Sequence, residues 1–327
     1  MNSEYQFVII GAGGTGLAAA MYAGRLGLKT ICFGTMSTSE QPIGGVITLT
    51  DVVENYPGFI HLTGTELAEK LEQHAREYEV EIYDERVTDV SRMNTEKCFT
   101  VTTNKRSVTT KTILFATGSK WKKLPMKGAI ELENKGVAYC ALCDGPLYKK
   151  KKVAVIGGSD SAAKEALFLA EHADKVYIIA RSEKLRAEPV NMKLVEQNPK
   201  IEVLTETNVI EIVGDKVVEK IILDRPHQGE LEIALQGVFG AIGHIPLSEL
   251  AKKIGVELND KNEIKINRGS ETNIEGVYAA GDVVDTIFKQ AITGVAEGVH
   301  AAYSAFTYVK ENQFVCVSSD DEAEPQA

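Results

Sequence analysis

The chain has 327 residues and a formal net charge of −10, with 44% hydrophobic and 25% charged residues. This composition is typical of a globular protein with enough apolar material for a large core, and the length favours two domains. An acidic protein repels nucleic acid and anionic lipid, so neither nucleic acid nor a membrane is an expected partner.

The N-terminus and the cysteines predict a cytoplasmic location. The opening MNSEYQFVII has no basic start, its apolar run is too short for a signal peptide, and no stretch approaches a membrane span. Five cysteines are sparse for this length, as in proteins of reducing compartments. Cys32, Cys98 and Cys316 are solitary in the sequence, and we expect them to be incidental thiols.

A nucleotide-binding pattern begins the chain. Residues 5–10, YQFVII, predict a buried strand, and GAGGTG at 11–16 leads into an alanine-rich helix and the strand KTICF. In this context Gly11 permits the tight turn, Gly13 lets the backbone approach a pyrophosphate, and Gly16 lets the helix pack closely. The helix N-terminus would face the phosphates. The alternative is a tight turn in an ordinary α/β domain.

The stretch CALCDG, at 140–145, holds the cysteine pair Cys140 and Cys143 with Asp144 behind it. A zinc site would need further ligands, but there is no second CxxC and the six histidines are scattered. A structural disulfide is disfavoured in a reducing compartment. Two intervening residues let the sulfurs bond and separate without moving the backbone far, so a redox pair is the favoured interpretation.

The nucleotide pattern recurs at 151–181 as strand, glycine turn, alanine-rich helix and strand. The turn GGSDSA supplies the candidate dinucleotide ligands Gly157, Gly158, Asp160, Ser161 and Ala162. Ser159 occupies the middle position, where glycine is usual. Arg181 and Arg186 follow the second strand and suit a 2′-phosphate, which favours NADPH over NADH, although Glu183 lies between them.

Landmarks along the chain resemble low-molecular-weight thioredoxin reductases, from about residue 5 to about residue 310. The matching stretches, in order, are GAGGTG, GG at 44–45, VENYPGF at 53–59, ATG at 116–118, CALCDG, VIGGSDSAAKEA at 155–166, AIGHIP at 241–246, GVYAAGD at 276–282 and KQAIT at 289–293. The cysteine pair just before the second nucleotide turn is the most specific of these.

The resemblance implies an α/β fold of two Rossmann-like, three-layer domains, with a nicotinamide domain inserted in a flavin domain. The FAD-binding domain would comprise residues 1–118 and 245–315. The NAD(P)-binding domain, residues 119–244, would carry the CxxC. The acidic residues 316–327 are expected to form a disordered tail.

The resemblance also assigns roles. NADPH would reduce FAD, FAD would reduce the Cys140–Cys143 disulfide, and the dithiol would reduce thioredoxin. Cys140 would attack the partner's disulfide, Cys143 would face the flavin, and Asp144 would shuttle a proton. Residues at matching positions would bind FAD: Gly11, Gly13, Gly14, Gly16, Gly44, Gly45, Asn55, Thr117, Gly118, Gly281, Asp282, Gln290 and Ala291. The family further implies a homodimer.

Departures from the family pattern leave alternatives open. Val46 replaces a glutamine, and Ser182 replaces one of two adjacent arginines that would hold the 2′-phosphate. An enzyme that uses NADH or a ferredoxin-like donor, or one that reduces another dithiol protein, is therefore an alternative. A binding or sensor module of the flavoprotein fold is the non-enzyme alternative, and the intact Cys140, Cys143 and Asp144 argue against it.

Overall fold

The computed structural model of the chain describes residues 4–35, 43–49, 53–93, 97–313 and 316, and of residues 142 and 143 only the backbone. The chain divides into two compact units. Unit 1 comprises Met1–Lys120 and Pro246–Ala327, and unit 2 comprises Trp121–Ile245. Within the described ranges, no helix is both long enough and apolar enough to cross a membrane.

Strands and helices are interspersed along the chain. The strands are β1 (Glu4–Ile10), β2 (Thr30–Gly34), β3 (Glu81–Asp84), β4 (Val87–Arg92), β5 (Phe99–Thr103), β6 (Ser107–Phe115), β7 (Ser119–Trp121), β8 (Val137–Ala138), β9 (Lys152–Ile156), β10 (Lys175–Ile179), β11 (Ile201–Leu204), β12 (Val209–Val213), β13 (Lys220–His227), β14 (Glu230–Ala234), β15 (Gly237–Gly240), β16 (His244–Pro246) and β17 (Val277–Ala279). The α-helices are α1 (Gly14–Arg25), α2 (Gly64–Arg76), α3 (Ala141–Asp144), α4 (Asp160–His172), α5 (Pro189–Gln197), α6 (Glu249–Lys253) and α7 (Ala291–Glu311). Short 3-10 helices span Gly45–Leu49 and Gly145–Tyr148.

Unit 1 is built on a sheet of order β3-β2-β1-β6-β5-β4, with β17 also paired to β6. Strands β1, β2, β3, β6 and β17 run parallel, whereas β4 and β5 are antiparallel additions. Side chains of β1 alternate between two cores: Val8 and Ile10 pack on one face, and Phe7 and Ile9 pack on the other. Because helices and loops cover both faces, this central strand is apolar throughout.

Unit 2 contains a parallel sheet of order β11-β10-β9-β15-β8 and a separate antiparallel sheet of order β12-β13-β14. Helix α4 covers the parallel sheet through Ala162, Ala163, Ala166 and Leu169, all fully buried. Small alanine side chains let a helix approach a sheet closely, which explains the alanine-rich sequence after the glycine turn. Parallel sheets with packed helices in both units confirm the predicted α/β, Rossmann-like fold class.

A disulfide that the sequence analysis did not predict joins Cys98 and Cys316. The expectation that these two cysteines are incidental thiols is wrong. Cys98 immediately precedes β5, Cys316 follows α7, and folding brings their buried side chains together across a sequence separation of 218 residues. Cys316, the first residue of the predicted tail, is therefore held in place by this disulfide. Residues 317–327 lie outside the described part of the chain. Cys32 is a free, buried thiol.

Candidate active site

Candidate flavin ligands lie where neighbouring strands of unit 1 end. Gly11 follows β1, Thr117 and Gly118 come shortly after β6, and Gly281 and Asp282 come shortly after β17. Strand β6 pairs in parallel with both β1 and β17, so the three carboxyl ends meet at one edge of the sheet. In open α/β sheets this edge is where ligands bind.

The first glycine turn admits no side chain at two of its positions. Gly11 has φ +112°, and a Cβ there would lie 2.2 Å from the carbonyl oxygen of Ala116. A Cβ at Gly16 would lie 1.8 Å from the carbonyl oxygen of Gly11. Glycine at these positions is therefore required by the turn itself and by the close packing of α1 on it.

Four glycines form a cradle without side chains beside this turn. The amide of Gly44 donates to the carbonyl oxygen of Ala12 at 2.7 Å, and Gly13 pairs with Gly44 in an isolated parallel bridge. A Cβ at Gly13 would lie 3.6 Å from the Cα of Gly45, in the space between the two segments. Helix α1 begins at Gly14, and its N-cap residue Gly13 offers no capping side chain. A pyrophosphate fits this arrangement, because free first-turn N–H groups attract anions.

Other predicted flavin ligands are connected to one another. The side-chain amide of Asn55 donates to the side-chain oxygen of Gln290 at 2.9 Å, although the two residues are 235 positions apart. Gln290 is the N-cap of α7, so Ala291 begins that helix. The Thr117 hydroxyl donates to the carbonyl oxygen of Leu247 at 2.6 Å. These bonds fix the loops that bear the candidate ligands.

Thr15 is a structural residue of this site that the sequence analysis did not single out. Its side chain lies 2.6 Å from where a Cβ of Gly281 would be and 2.5 Å from that of Gly294. The Thr15 carbonyl oxygen lies 2.4 Å from the corresponding position of Gly298. Helices α1 and α7 thus meet through a glycine stripe, and the spacing GxxxG at 294–298 was the signal that could have predicted it.

In unit 2 the predicted redox pair and the second glycine turn share one sheet edge. Cys140 comes two residues after β8, and Gly157 directly follows β9. Strand β15 lies between β8 and β9 and pairs in parallel with both. The carboxyl ends of all three strands therefore point the same way, and the cysteine and the glycine turn lie at the same end of the sheet.

The second turn repeats the geometry of the first with a modification. A Cβ at Gly157 would lie 2.2 Å from the carbonyl oxygen of Ala241, so glycine is required there. Ser159 has an extended backbone, with φ −97°, and serves as the N-cap of α4 without a side-chain hydrogen bond. Ser161 is exposed in the first turn of the helix, whereas Ala162 is buried in the core and can offer a ligand only its backbone.

The side chain of Asp160 is engaged within unit 2. One carboxylate oxygen accepts from the backbone amide of Glu188 and from the Asn191 side chain, both at 2.8 Å, and the other pairs with Lys164 at 2.8 Å. Burial opposes ionisation, but these bonds prevail and lower the pKa of Asp160. Asp160 therefore anchors the segment after β10 and is not a free acceptor for a ribose.

The candidate phosphate-binding arginines lie on that anchored segment. Arg181 and Arg186 are exposed, and the amide of Arg186 donates to the carbonyl oxygen of Gly158 at 2.7 Å. This bond brings the arginine loop against the glycine turn. The hydroxyl of Ser182 donates to the carbonyl oxygen of Lys184 at 2.8 Å, which folds the loop back on itself. Ser182 thus stabilises the loop and supplies no positive charge for a 2′-phosphate.

Cys140 is disulfide-bonded and half-buried just before the short helix α3. The side chain of Cys143 lies outside the described part of the structure, so the pairing of Cys140 with Cys143 stays a prediction. Asp144 ends α3, its amide donates to the carbonyl oxygen of Cys140 at 3.2 Å, and burial raises its pKa. A carboxyl group in this state can give up or take a proton nearer neutral pH than an exposed aspartate.

Comparison with known proteins identifies the family. The family model described as pyridine nucleotide-disulphide oxidoreductase matches residues 5–298. A thioredoxin reductase from Schizosaccharomyces pombe is 38% identical over 312 residues, covering 93% of this chain and 97% of the relative. The thioredoxin reductase structure from Lactococcus lactis has a TM-score of 0.87 at 34% identity, covering 94% of this chain and 100% of that one. The thioredoxin reductase structure from T. acidophilum has a TM-score of 0.84 at 33% identity, covering 94% of this chain and 99% of that one. The chain therefore belongs to the pyridine nucleotide-disulphide oxidoreductase family and, within it, to the thioredoxin reductases.

Proposed function

We propose that this protein is an FAD-dependent thioredoxin-disulfide reductase that takes its electrons from NADPH. The observation that carries the proposal is the position of Cys140. This disulfide-bonded cysteine lies at the same sheet edge as the second glycine turn and begins a CxxC followed by the half-buried carboxyl group of Asp144. The similarity of nearly the whole chain to proteins named thioredoxin reductase supports the choice of thioredoxin as substrate.

FAD would be held by the glycine cradle of unit 1, with the pyrophosphate at the start of α1. Bound there, FAD would supply two-electron transfer between a nicotinamide and a disulfide. Gly13 leaves room for the phosphates, while Asn55 and Gln290 fix each other near the start of α7. The candidate ligands that follow β1, β6 and β17 would meet the same ligand at their shared edge of the sheet.

Thiol exchange would then proceed through the cysteines. The Cys140 thiolate attacks one sulfur of the thioredoxin disulfide, which breaks that disulfide and forms a mixed disulfide. Cys143 then attacks the Cys140 sulfur, re-forms the Cys140–Cys143 disulfide and releases thioredoxin as a dithiol. Asp144, whose pKa is raised by burial, would hold the proton that the departing thiolate takes up.

The choice of NADPH rests on the loop after β10. Arg181 and Arg186 are exposed there, and the bond from Arg186 to Gly158 keeps the loop against the glycine turn. NADH is the second candidate donor. It is favoured by Ser182, because this side chain bonds within the loop and offers no positive charge to a 2′-phosphate.

The first test is anaerobic reduction of the purified flavoprotein by NADPH or NADH, added separately while flavin absorbance is recorded. We expect fast bleaching with NADPH, and reduction of added oxidised thioredoxin. The flavin of the Cys140→Ser variant should still bleach, but this variant should not reduce thioredoxin. The Cys32→Ser variant, changed at the buried free thiol, should show both flavin bleaching and thioredoxin reduction. Bleaching only with NADH would overturn the donor assignment. No bleaching with either, in a protein that dithionite reduces, would require another donor.

We also propose a cytoplasmic homodimer, as the family resemblance suggests. Sedimentation velocity should give about twice the mass of the 35.6 kDa chain. Fractionation of the source cells should recover the protein with cytoplasmic markers. A monomer, or recovery with an extracytoplasmic fraction, would contradict the corresponding part of the proposal.

A further inference from the structure

Glu165 carries a buried carboxyl group that nothing in the proposed reaction uses. Its Oε2 atom is shielded from solvent and has no hydrogen-bond partner, and no other buried side-chain N or O atom of the described residues lacks one. The residue as a whole is partly exposed, so it is the carboxyl end of the side chain that points inward. Burial raises the pKa of Glu165 to about 8, which keeps the group protonated at neutral pH.

The packing of α4 shows which segment lies along the helix near Glu165. The amide of Lys150 donates to the carbonyl oxygen of His172 at the end of α4. A Cβ at Gly145 would lie 2.9 Å from the Phe168 ring and 3.3 Å from Leu169. These two residues lie about one turn before His172 in α4. The segment that precedes Gly145 is α3, which also packs against α4.

Since the segment from α3 to Lys150 runs antiparallel to α4, α3 lies one further turn toward the start of α4. Glu165 precedes Phe168 by three residues and Leu169 by four. It therefore lies on the same face of α4 as these two residues, one turn closer to the start of the helix. Glu165 is therefore level with the helix that bears the CxxC.

Few other charges share this side of α4. Cys140 lies just before α3 and Asp144 ends it. Tyr148 ends the 3-10 helix, the Lys151 ammonium lies 5.3 Å from the centre of its ring, and α4 itself adds His172 two turns away. The Lys164–Asp160 ion pair faces α5, through the bond from Asn191 to Asp160. The core between α4 and the sheet includes the apolar side chains of Val153, Val155, Val176 and Ile178. Glu165 is thus a buried carboxyl group whose Oε2 atom has no hydrogen-bond partner, on the helix that packs against the α3 segment ending in Asp144.

We infer that Glu165 is a positioning residue of the cysteine pair, whose carboxyl proton is coupled to the opening of the disulfide. This inference rests on the proposed function. Opening the disulfide breaks the sulfur–sulfur bond and takes up two electrons, with two protons if both sulfurs become thiols and one if one sulfur remains a thiolate. Where one sulfur remains a thiolate, the neutral carboxyl group stabilises it. Where that sulfur takes the carboxyl proton, Glu165 regains a proton from solvent.

The sign of the coupling follows from charge. A thiolate beside Glu165 disfavours the carboxylate, so the pKa of Glu165 is higher in the dithiol form than in the disulfide form. The stabilisation of the dithiol form is fully present below pH 8 and is lost as pH rises through the higher pKa. Reduction of the wild-type pair should therefore become less favourable above pH 8.

The test is the equilibrium of the full-length protein with dithiothreitol redox buffers between pH 6 and pH 9.5. Thiols are trapped by alkylation, and mass spectrometry follows the peptide with Cys140 and Cys143 separately from Cys98 and Cys316. Relative to Glu165→Gln, we expect the wild-type equilibrium constant for reduction to fall about tenfold between pH 7 and pH 9. The Glu171→Gln variant, on the exposed face of α4, is the matched control and should follow the wild type.

Equal pH profiles for the wild type and Glu165→Gln would overturn the inference. Infrared difference spectra of the wild type on reduction give a second measurement that does not depend on the folding of a variant. A protonated carboxyl band should shift, and a spectrum without such a change would also overturn the inference. Failure of the proposed function would look different, because Cys140 and Cys143 would not form a reducible pair, or would not pass electrons to thioredoxin, at any pH.

Discussion

Gly13 and Gly14 are neighbours in the first glycine turn, yet a methyl group would meet different surroundings at each. At Gly13 it would enter the space between the turn and Gly45, 3.6 Å from the Cα of Gly45. At Gly14 it would lie 3.5 Å from the Leu71 side chain. Both are ordinary van der Waals contacts, so neither substitution strains the protein itself. Only the first fills the cradle proposed for the pyrophosphate.

Gly13→Ala is therefore expected to fold but to lose flavin, while Gly14→Ala keeps both. Crowding of a packed site costs about 1–3 kcal/mol, which weakens binding by roughly tenfold or more. The measurement is the ratio of flavin to protein absorbance after gel filtration, with circular dichroism as the check on folding. Equal flavin content in the two variants would show that the cradle is not where the phosphates bind.

Asp160 shows how one side chain organises an element of unit 2. Its carboxylate fastens the segment between β10 and α5 through Glu188 and Asn191. Because hydrogen bonds lower the pKa of Asp160, its stabilising contribution is present above the ordinary aspartate pKa and is lost only as pH falls through the lowered value. The arginine loop therefore stays anchored across the whole neutral range.

We expect Asp160→Ala to raise the dissociation constant for NADPH about tenfold, since a bond to a partly exposed charged group contributes about 1.5 kcal/mol. Isothermal titration calorimetry of the purified protein with NADPH would measure this dissociation constant. Lys164→Ala is the control, because it removes the ion pair but leaves both loop bonds, and it should change affinity by less than about threefold. If both substitutions have equal effects, the loop is not anchored through Glu188 and Asn191.

Elements contiguous in sequence were the predictable part of the fold. Strand β1, the glycine turn, α1 and β2 follow one another within about thirty residues, and the same order recurs at β9, α4 and β10. The antiparallel pair β4–β5 and the sheet β12-β13-β14 were not predicted. FTVTT alternates between buried and partly buried residues but is only five residues long, and VTDVSR buries a single residue, so neither gives a strong strand signal.

At the scale of the molecule, contacts between distant segments were beyond the sequence. Thr15 gave no signal by itself, because the glycines that enclose it lie more than 260 positions away, at 281, 294 and 298. Asn55 and Gln290 were predicted only through the family resemblance, and their mutual hydrogen bond was not. The cysteine pair Cys98–Cys316 was missed for the same reason, since spacing predicts a disulfide only when the partners are close in sequence.

That disulfide closes unit 1 upon itself, from the start of β5 to the residues beyond α7, where the Cys316 amide also donates to Glu4 in β1 at 3.3 Å. In the chain-entropy description, closing a loop of this length stabilises the folded state by about 5 kcal/mol. We expect the Cys98→Ser/Cys316→Ser double variant to unfold roughly 10 °C below the oxidised wild type. Differential scanning calorimetry would measure the shift.

A thiol titration in denaturant tests the same bond without a variant. The sequence has five cysteines, so two disulfides leave one reactive thiol, the buried Cys32, which should react only after unfolding. Dithiothreitol should lower the melting temperature of the Cys140→Ser/Cys143→Ser double variant as it does that of the wild type, and should leave the Cys98→Ser/Cys316→Ser variant unchanged. Three thiols in the denatured, oxidised wild type, with Cys98 and Cys316 among the labelled residues, would mean that these two cysteines are not bonded. The stability of unit 1 would then rest on its packed core alone.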